Sequence, residues 1–170
     1  DKWNPEYTLS GPVPEDAEAQ TLKFEATYGD DLNGDGVVDT DADRFDITFE
    51  AGANGKLEGT STYEDVLKDL SLAEAKITVP TPVANEGYAF LKWQDETGAA
   101  VSFDENYKTP AENTTYMAVF DEDKNDDGKP DSQQTIITIT FNAGTEGNIG
   151  GEESVTYYVA AGEDNYPTAP

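Results

Sequence analysis

DLNGDGVVDTDADRFDITFEAGANGKLEG, residues 31–59, returns without a gap as DKNDDGKPDSQQTIITITFNAGTEGNIGG, residues 123–151, a step of 92 residues (123 less 31). Twelve of the 29 aligned positions are identical: five fall in the acidic loop and the rest in the Ile-Thr-Phe strand and the spaced glycines that follow it. A spaced carboxylate set repeated in register with the next strand describes an array of modules and linkers.

The period makes each module about 75 residues long, which leaves a thin apolar core. Hydrophobic residues form 36% of the chain and there is no Cys, so disulfides cannot staple the modules and a bound metal is the natural substitute. Thirty-six acidic against ten basic residues give a formal charge of −26, which repels phosphate backbones and anionic membranes. Nucleic acid and membrane are therefore not expected as partners. The absence of His excludes Ser-His-Asp triads and His-ligated zinc or iron. No enzymatic activity is expected: carboxylate pairs for glycoside hydrolysis can be drawn almost anywhere in so acidic a chain and carry no weight.

The central unit is expected to run over 45–120. Ile47 and Phe49 alternate on one face of a strand, and Gly52, Gly55 and Gly59 suggest a hairpin returning through Leu57. Thr62 and Asp65 have capping-box spacing, and Tyr63, Val66, Leu67 and Leu70 fall at i, i+3, i+4 and i+7, which predicts a short helix over 62–71. A strand at Ile77–Val79 is expected to stop at Pro80 and Pro82. Tyr88–Trp93, Val101 with Phe103, and Thr115–Phe120 read as further strands, the last with Tyr116, Ala118 and Phe120 on one side. The order gives an α+β, mostly β fold: small β-grasp-like modules with a mixed sheet and one short helix, in tandem.

Lys2-Trp3 followed by Leu22–Tyr28 echoes Lys92-Trp93 followed by Thr114–Phe120, so 1–28 reads as the C-terminal part of a preceding repeat. Residues 136–170 read as the N-terminal part of a following one, with alternating strands through Ile137, Ile139 and Phe141 and through Val155, Tyr157 and Val159. Residues 29–44 and 121–135 are the linkers. The two end parts add up to nearly one unit and are expected to pair, within one chain or head-to-tail between copies. Trp3 and Trp93 read as core at matching positions before they read as a sugar-stacking face.

The runs ITFEAGANGKLEG, VPTPVANEGYAFLKWQDETGAAVSF and TPAENTTYMAVF resemble the Listeria–Bacteroides repeat, the internalin B-repeat-like family of bacterial surface proteins. That likeness implies a β-grasp-like module used as a stalk or adhesive unit, cell-wall-associated or secreted, and supplies no catalytic residues.

The linkers carry the chemistry. In Asp-x-Asn-x-Asp-Gly-x-x-Asp, alternate side chains of a tight loop can point oxygens at one centre, the sixth-position Gly permits the turn, and the seventh residue offers a carbonyl. All-oxygen ligands suit a hard ion, calcium (Ca2+) before magnesium. One expected site is Asp31, Asn33, Asp35, the Val37 carbonyl and Asp39; the other is Asp123, Asn125, Asp127, the Lys129 carbonyl and Asp131. Position twelve holds Ala42 or Gln134 in place of the bidentate Glu of an EF-hand, and no amphipathic helix flanks either loop. The loops resemble the calcium-binding linkers of thrombospondin type 3-like repeats, with Asp30, Asp41, Asp43, Asp121 or a neighbouring module as sources of the missing ligand. The expected function is a calcium-rigidified stalk in an extracellular bacterial protein. The alternatives are an adhesive module for host protein or glycan, and an accessory region of a secreted enzyme.

Overall fold

The structure, a computed structural model, describes residues 2–4, 25–163 and 166–170. It is mostly β, as the alternating patterns require, and its central sheet is mixed. Strand β1 (Lys2–Asn4) pairs antiparallel with β2 (Glu25–Thr27). After a single turn of 3-10 helix at Asp41–Asp43 come β3 (Arg44–Ala51), β4 (Gly55–Glu58), β5 (Thr62–Leu67), β6 (Thr81–Ala84), β7 (Tyr88–Gln94), β8 (Ala100–Val101) and β9 (Thr114–Glu122). A second 3-10 turn at Asp131–Gln133 leads to the hairpin β10 (Ile136–Asn142) and β11 (Ser154–Ala160).

The five-stranded sheet has the order β5-β3-β9-β7-β8, antiparallel throughout except for β3 and β9, which run parallel with Ile47 opposite Thr114 and Ala51 opposite Ala118. One face carries the core: Ile47, Phe49, Val66, Ile77, Trp93, Tyr116, Ala118 and Phe120. Phe49 sits at its centre, edge-on to Trp93 and Phe103 at centroid distances of 5.4 and 5.5 Å, a geometry aromatic quadrupoles favour. Trp93 is thus core, as expected of it; the side chain of Trp3 lies outside the described residues. Tyr116 and Tyr107 share a hydroxyl contact of 3.0 Å, which satisfies both polar tips inside the apolar cluster.

The helix expected over 62–71 does not form, and the described residues contain no α-helix. Residues 62–67 are the edge strand β5, whose ladder slips between Phe45 and Ile47: Ile47 faces Tyr63, but Phe45 faces Val66. The extra residue is a β-bulge, with Asp65 at φ +54°. A bulge brings residues three apart to the same face, so Tyr63 and Val66 share the core side with the spacing of a helical stripe. The Thr62–Asp65 capping box is likewise absent. The Asp65 N–H instead donates to Asp46 Oδ1 at 3.1 Å, and the Asp46 N–H donates to Asn113 Oδ1 at 2.9 Å, so the bulge leaves neither amide unpaired. Beyond the strand, buried Thr109 holds the turn that ends in Leu70: its hydroxyl donates to the Leu67 carbonyl at 2.7 Å and accepts the Leu70 N–H at 2.9 Å.

Two further expectations change. The chain does turn after Gly52, but β4 pairs with β6 rather than returning along β3. The strand expected at 77–79 begins instead at Thr81 and includes Pro82, opposite Leu57, in a two-stranded arm where a missing N–H is tolerated. The glycines serve close approach as much as turning. A Cβ on Gly55 would stand 2.2 Å from the Phe120 ring, and one on Gly52 would stand 2.6 Å from the Ala118 carbonyl oxygen.

The flanking hairpins reproduce parts of this unit. Trp3 faces Ala26 as Trp93 faces Ala118, and Ile139 faces Tyr157 as Ile47 faces Tyr63. The β10–β11 ladder lacks the bulge; Ile139 and Phe141 are half-buried as their alternation requires, but Ile137 is exposed. Of the strand expected over Leu22–Tyr28, Leu22, Lys23 and Phe24 lie outside the described residues.

Because a β-branched side chain is strained at positive φ, Asp65→Val is expected to destabilise the unit by about 1–2 kcal/mol, whereas Asp65→Gly should cost far less. Urea unfolding of the two variants checks this; equal losses would mean that the bulge conformation carries no strain.

Candidate cation-binding linkers

Both acidic loops fold alike, because their shared spacing lets carboxylates cap the turn's own amides. Asp31 Oδ2 accepts the Gly36 N–H at 3.0 Å, and Asp123 Oδ2 accepts the Gly128 N–H at 2.9 Å. Asp35 Oδ1 takes the Val37 N–H at 2.8 Å, as Asp127 Oδ1 takes that of Lys129 at 2.9 Å. Asp39 receives the Leu32 N–H at 2.8 Å and Asp131 that of Lys124 at 3.2 Å. Gly36 and Gly128 both sit at φ +81°, the left-handed conformation that the sixth position needs.

The surroundings of the two loops differ. In the first, Asp31, Asp35 and Val37 are exposed, while Asn33 and Asp39 are half-buried. Asn33 reaches the following unit, its Nδ2 standing 3.5 Å from the Lys68 carbonyl oxygen. The second loop is more enclosed. Asp123 is 3% exposed, donates its N–H to the Gly87 carbonyl at 2.9 Å, and accepts the Asp127 and Gly128 N–H groups on its two carboxylate oxygens. Asn125 Oδ1, Asp127 Oδ2 and Asp131 Oδ2 are buried and have no hydrogen-bond partner. Asp131 Oδ2 has an ion-pair neighbour in Lys124, but Asn125 Oδ1 and Asp127 Oδ2 are left without one, and such unpaired acceptors are costly in a low-dielectric setting and suit a cation. Burial works against ionisation of Asp127, but hydrogen bonds from the Lys129 N–H, Asn125 and Gln134 together hold its carboxyl below the ordinary range.

As they stand, the carboxylates of the described residues do not close into a cluster of three or more that would hold a metal. What lies across the second loop is Gln134. Its Nε2 donates to Asp127 Oδ1 at 3.1 Å and to the Lys129 carbonyl at 3.2 Å, two of the oxygens expected as ligands. The sequence shows only that position twelve lacks a carboxylate. That its amide folds back onto positions five and seven depends on the 3-10 turn at Asp131–Gln133, which the sequence does not signal. Lys124 pairs with Glu122 and stands 3.6 Å from Asp131 Oδ2, so a fixed cation already faces the rim of this loop. A cleft beside the loop is lined by Gly87, Tyr88, Asp123, Lys124 and Tyr158.

Of the residues considered as extra ligands, Asp43 is committed elsewhere. Lys68 Nζ donates to its Oδ1 at 2.8 Å, and the Thr40 N–H and hydroxyl both donate to its Oδ2. The Lys68 hydrogen bond, followed by those from Thr40, lowers the Asp43 carboxyl to about 2. The Lys68 N–H also donates to the Asp43 carbonyl at 3.0 Å, so the first linker is fastened to the end of β5 by one side-chain and one main-chain bond. Asp121 is drawn below the ordinary range, chiefly by Ser132.

Residues 45–124 match the family described as the divergent InlB B-repeat domain. This segment is an InlB B-repeat-like module. No curated protein and no solved structure matches the chain. Within the B-repeat-like module Phe49 and Trp93 belong to the core, and Tyr88 and Phe90 pack against it. The Phe90-to-Trp93 spacing has the same origin as that of Tyr63 and Val66: a bulge between Phe90 and Lys92 puts both rings on the core face. Asn113, exposed at the start of an Asn-Thr-Thr stretch, accepts the Asp46 N–H on its Oδ1. No described helix is long and apolar enough to cross a membrane.

The fastening of the first linker is pH-dependent. The fold favours the ionised form of Asp43, so its contribution is complete above the ordinary value of 3.8 and disappears as pH falls toward about 2. Asp43→Asn is therefore expected to melt below the wild type at pH 7, with the gap closing between pH about 4 and about 2. A gap that persists at pH 2 would show that the ion pair is not its source.

Proposed function

We propose that this chain is a non-catalytic spacer segment of a repetitive bacterial surface protein, in which β-grasp-like modules are joined by linkers that calcium makes rigid. One observation carries the spacer reading. The first linker enters the module at the start of β3 and the second leaves from the end of β9, and these two strands are parallel neighbours. Entry and exit therefore lie at opposite ends of the sheet, separated by about 36 Å along the strand axis for Arg44 and Glu122, given a rise near 3.3 Å per residue. A module built this way adds length to a string, whereas an antiparallel pair would bring both linkers to one end.

The linkers support the calcium part of the reading. Asp31, Asn33, Asp35, the Val37 carbonyl and Asp39 would hold one ion, and Asp123, Asn125, Asp127, the Lys129 carbonyl and Asp131 the other. A hard divalent cation would neutralise the loop carboxylates and take the oxygens that the second loop leaves unpaired. The resemblance to thrombospondin type 3-like linkers belongs to this reading, as does an extracellular setting, where calcium is plentiful. An adhesive role is less favoured, because the aromatic residues of the complete module other than Phe45 lie in or against its core, leaving no broad stacking face there.

Calcium is expected to raise the melting temperature by mass action and excess chelator to lower it. Asp127→Asn should remove the calorimetric binding step of the second loop and Asp35→Asn that of the first, with the second loop the tighter because it is already enclosed. Coincident melting curves in calcium and in chelator would contradict the reading.

A further inference from the structure

We infer that the B-repeat-like module is a mechanical clamp, loaded in shear when its linkers are pulled apart. The inference rests on the spacer reading for where tension enters; its substance is the direction in which that tension meets the hydrogen bonds. Tension through the first linker draws β3 by its N-terminal end, and tension through the second draws β9 by its C-terminal end. Since the strands are parallel and adjacent, those two pulls slide one along the other. The bonds of the paired positions, from Ile47 opposite Thr114 to Ala51 opposite Ala118, lie across the sliding direction and bear the load together. In a parallel ladder they are evenly spaced, so no single bond takes the force first. The Gly52 N–H extends the seam, donating to the Ala118 carbonyl at 2.8 Å.

Side chains reinforce the seam. β3 and β9 are interior strands of the sheet, flanked by β5 and β7, so neither can peel outward from an edge. On the core face Ile47, Phe49, Tyr116 and Ala118 are 1, 2, 5 and 0% exposed, and Phe49 packs against Tyr116 across the seam at a centroid distance of 5.7 Å. Sliding the strands past each other must unpack this layer as well as break the ladder. Both load points are fastened to the module. Asp43 is tied to Lys68 by an ion pair and a main-chain bond, and Asp123, directly after β9, is buried and bonded to Gly87. Force arriving along either linker is passed to the sheet before it reaches the seam.

Direction of pulling is the test, and the lack of Cys makes it clean. One variant carries Asp41→Cys with Glu122→Cys, which loads the seam in shear. A second carries Asp41→Cys with Glu112→Cys, which pulls at the same end of both strands and opens the identical ladder one pair at a time. Single-molecule force spectroscopy, in calcium and in chelator, compares them at equal loading rate, since forced unfolding reports the unfolding barrier and not equilibrium stability. The clamp predicts a severalfold higher unfolding force for the first pair of anchors than for the second, with equal melting temperatures. Equal forces in the two directions, or a lower force in shear, overturn it. If that happens while calcium still raises the melting temperature, the clamp fails and the calcium-linker reading stands. A direction-dependent force with no calcium effect on melting supports the clamp and removes the calcium-linker reading.

Discussion

The parallel pairing of β3 with β9 is the constraint on which the rest of the structure depends. It joins the first and last strands of the unit, closes the core around Phe49, and fixes where the linkers enter and leave. A parallel ladder needs a long crossover between its strands, and here the crossover from Ala51 to Thr114 contains no α-helix. The chain instead covers the sheet with the β4–β6 arm and the loops after β5 and β8, whose Leu57, Leu72, Ala75, Val79, Ala84 and Phe103 pack on the core.

The linkers show how one loop sequence can be held to different degrees. Both copies use the same carboxylate-to-amide bonds to make the turn, so the fold of the loop follows from its spacing. What differs is enclosure. The second loop follows β9 directly, with Asp123 buried against Gly87, and Gln134 closes over it; the first is exposed and touches the module through Asn33 and the Asp43–Lys68 pair. Negative charge is thus concentrated in the loops on either side of the module.

Much of the module was legible in the sequence. The alternation of Tyr116, Ala118 and Phe120, the Ile47–Phe49 face and the echo of Lys2-Trp3 in Lys92-Trp93 all follow from a period of two and from repetition, and the register of Trp3 on Ala26 matches that of Trp93 on Ala118. The misreadings have one physical source: irregular or long-range strand pairing. A bulge at Asp65 gave Tyr63 and Val66 the spacing of a helix, and the pairing of β4 with β6 is a long-range choice that local pattern does not encode. In the linkers, the shared carboxylate-capped turn could be read from spacing, but the reach of Gln134 depends on a turn that only the folded chain reveals.

The most direct measurement is the distance distribution between nitroxide labels on exposed Glu64, in the complete module, and exposed Thr138, beyond the second linker, by pulsed dipolar spectroscopy. Cation-fixed linkers predict a narrow distribution in calcium that broadens in excess chelator. The same width in both would contradict them.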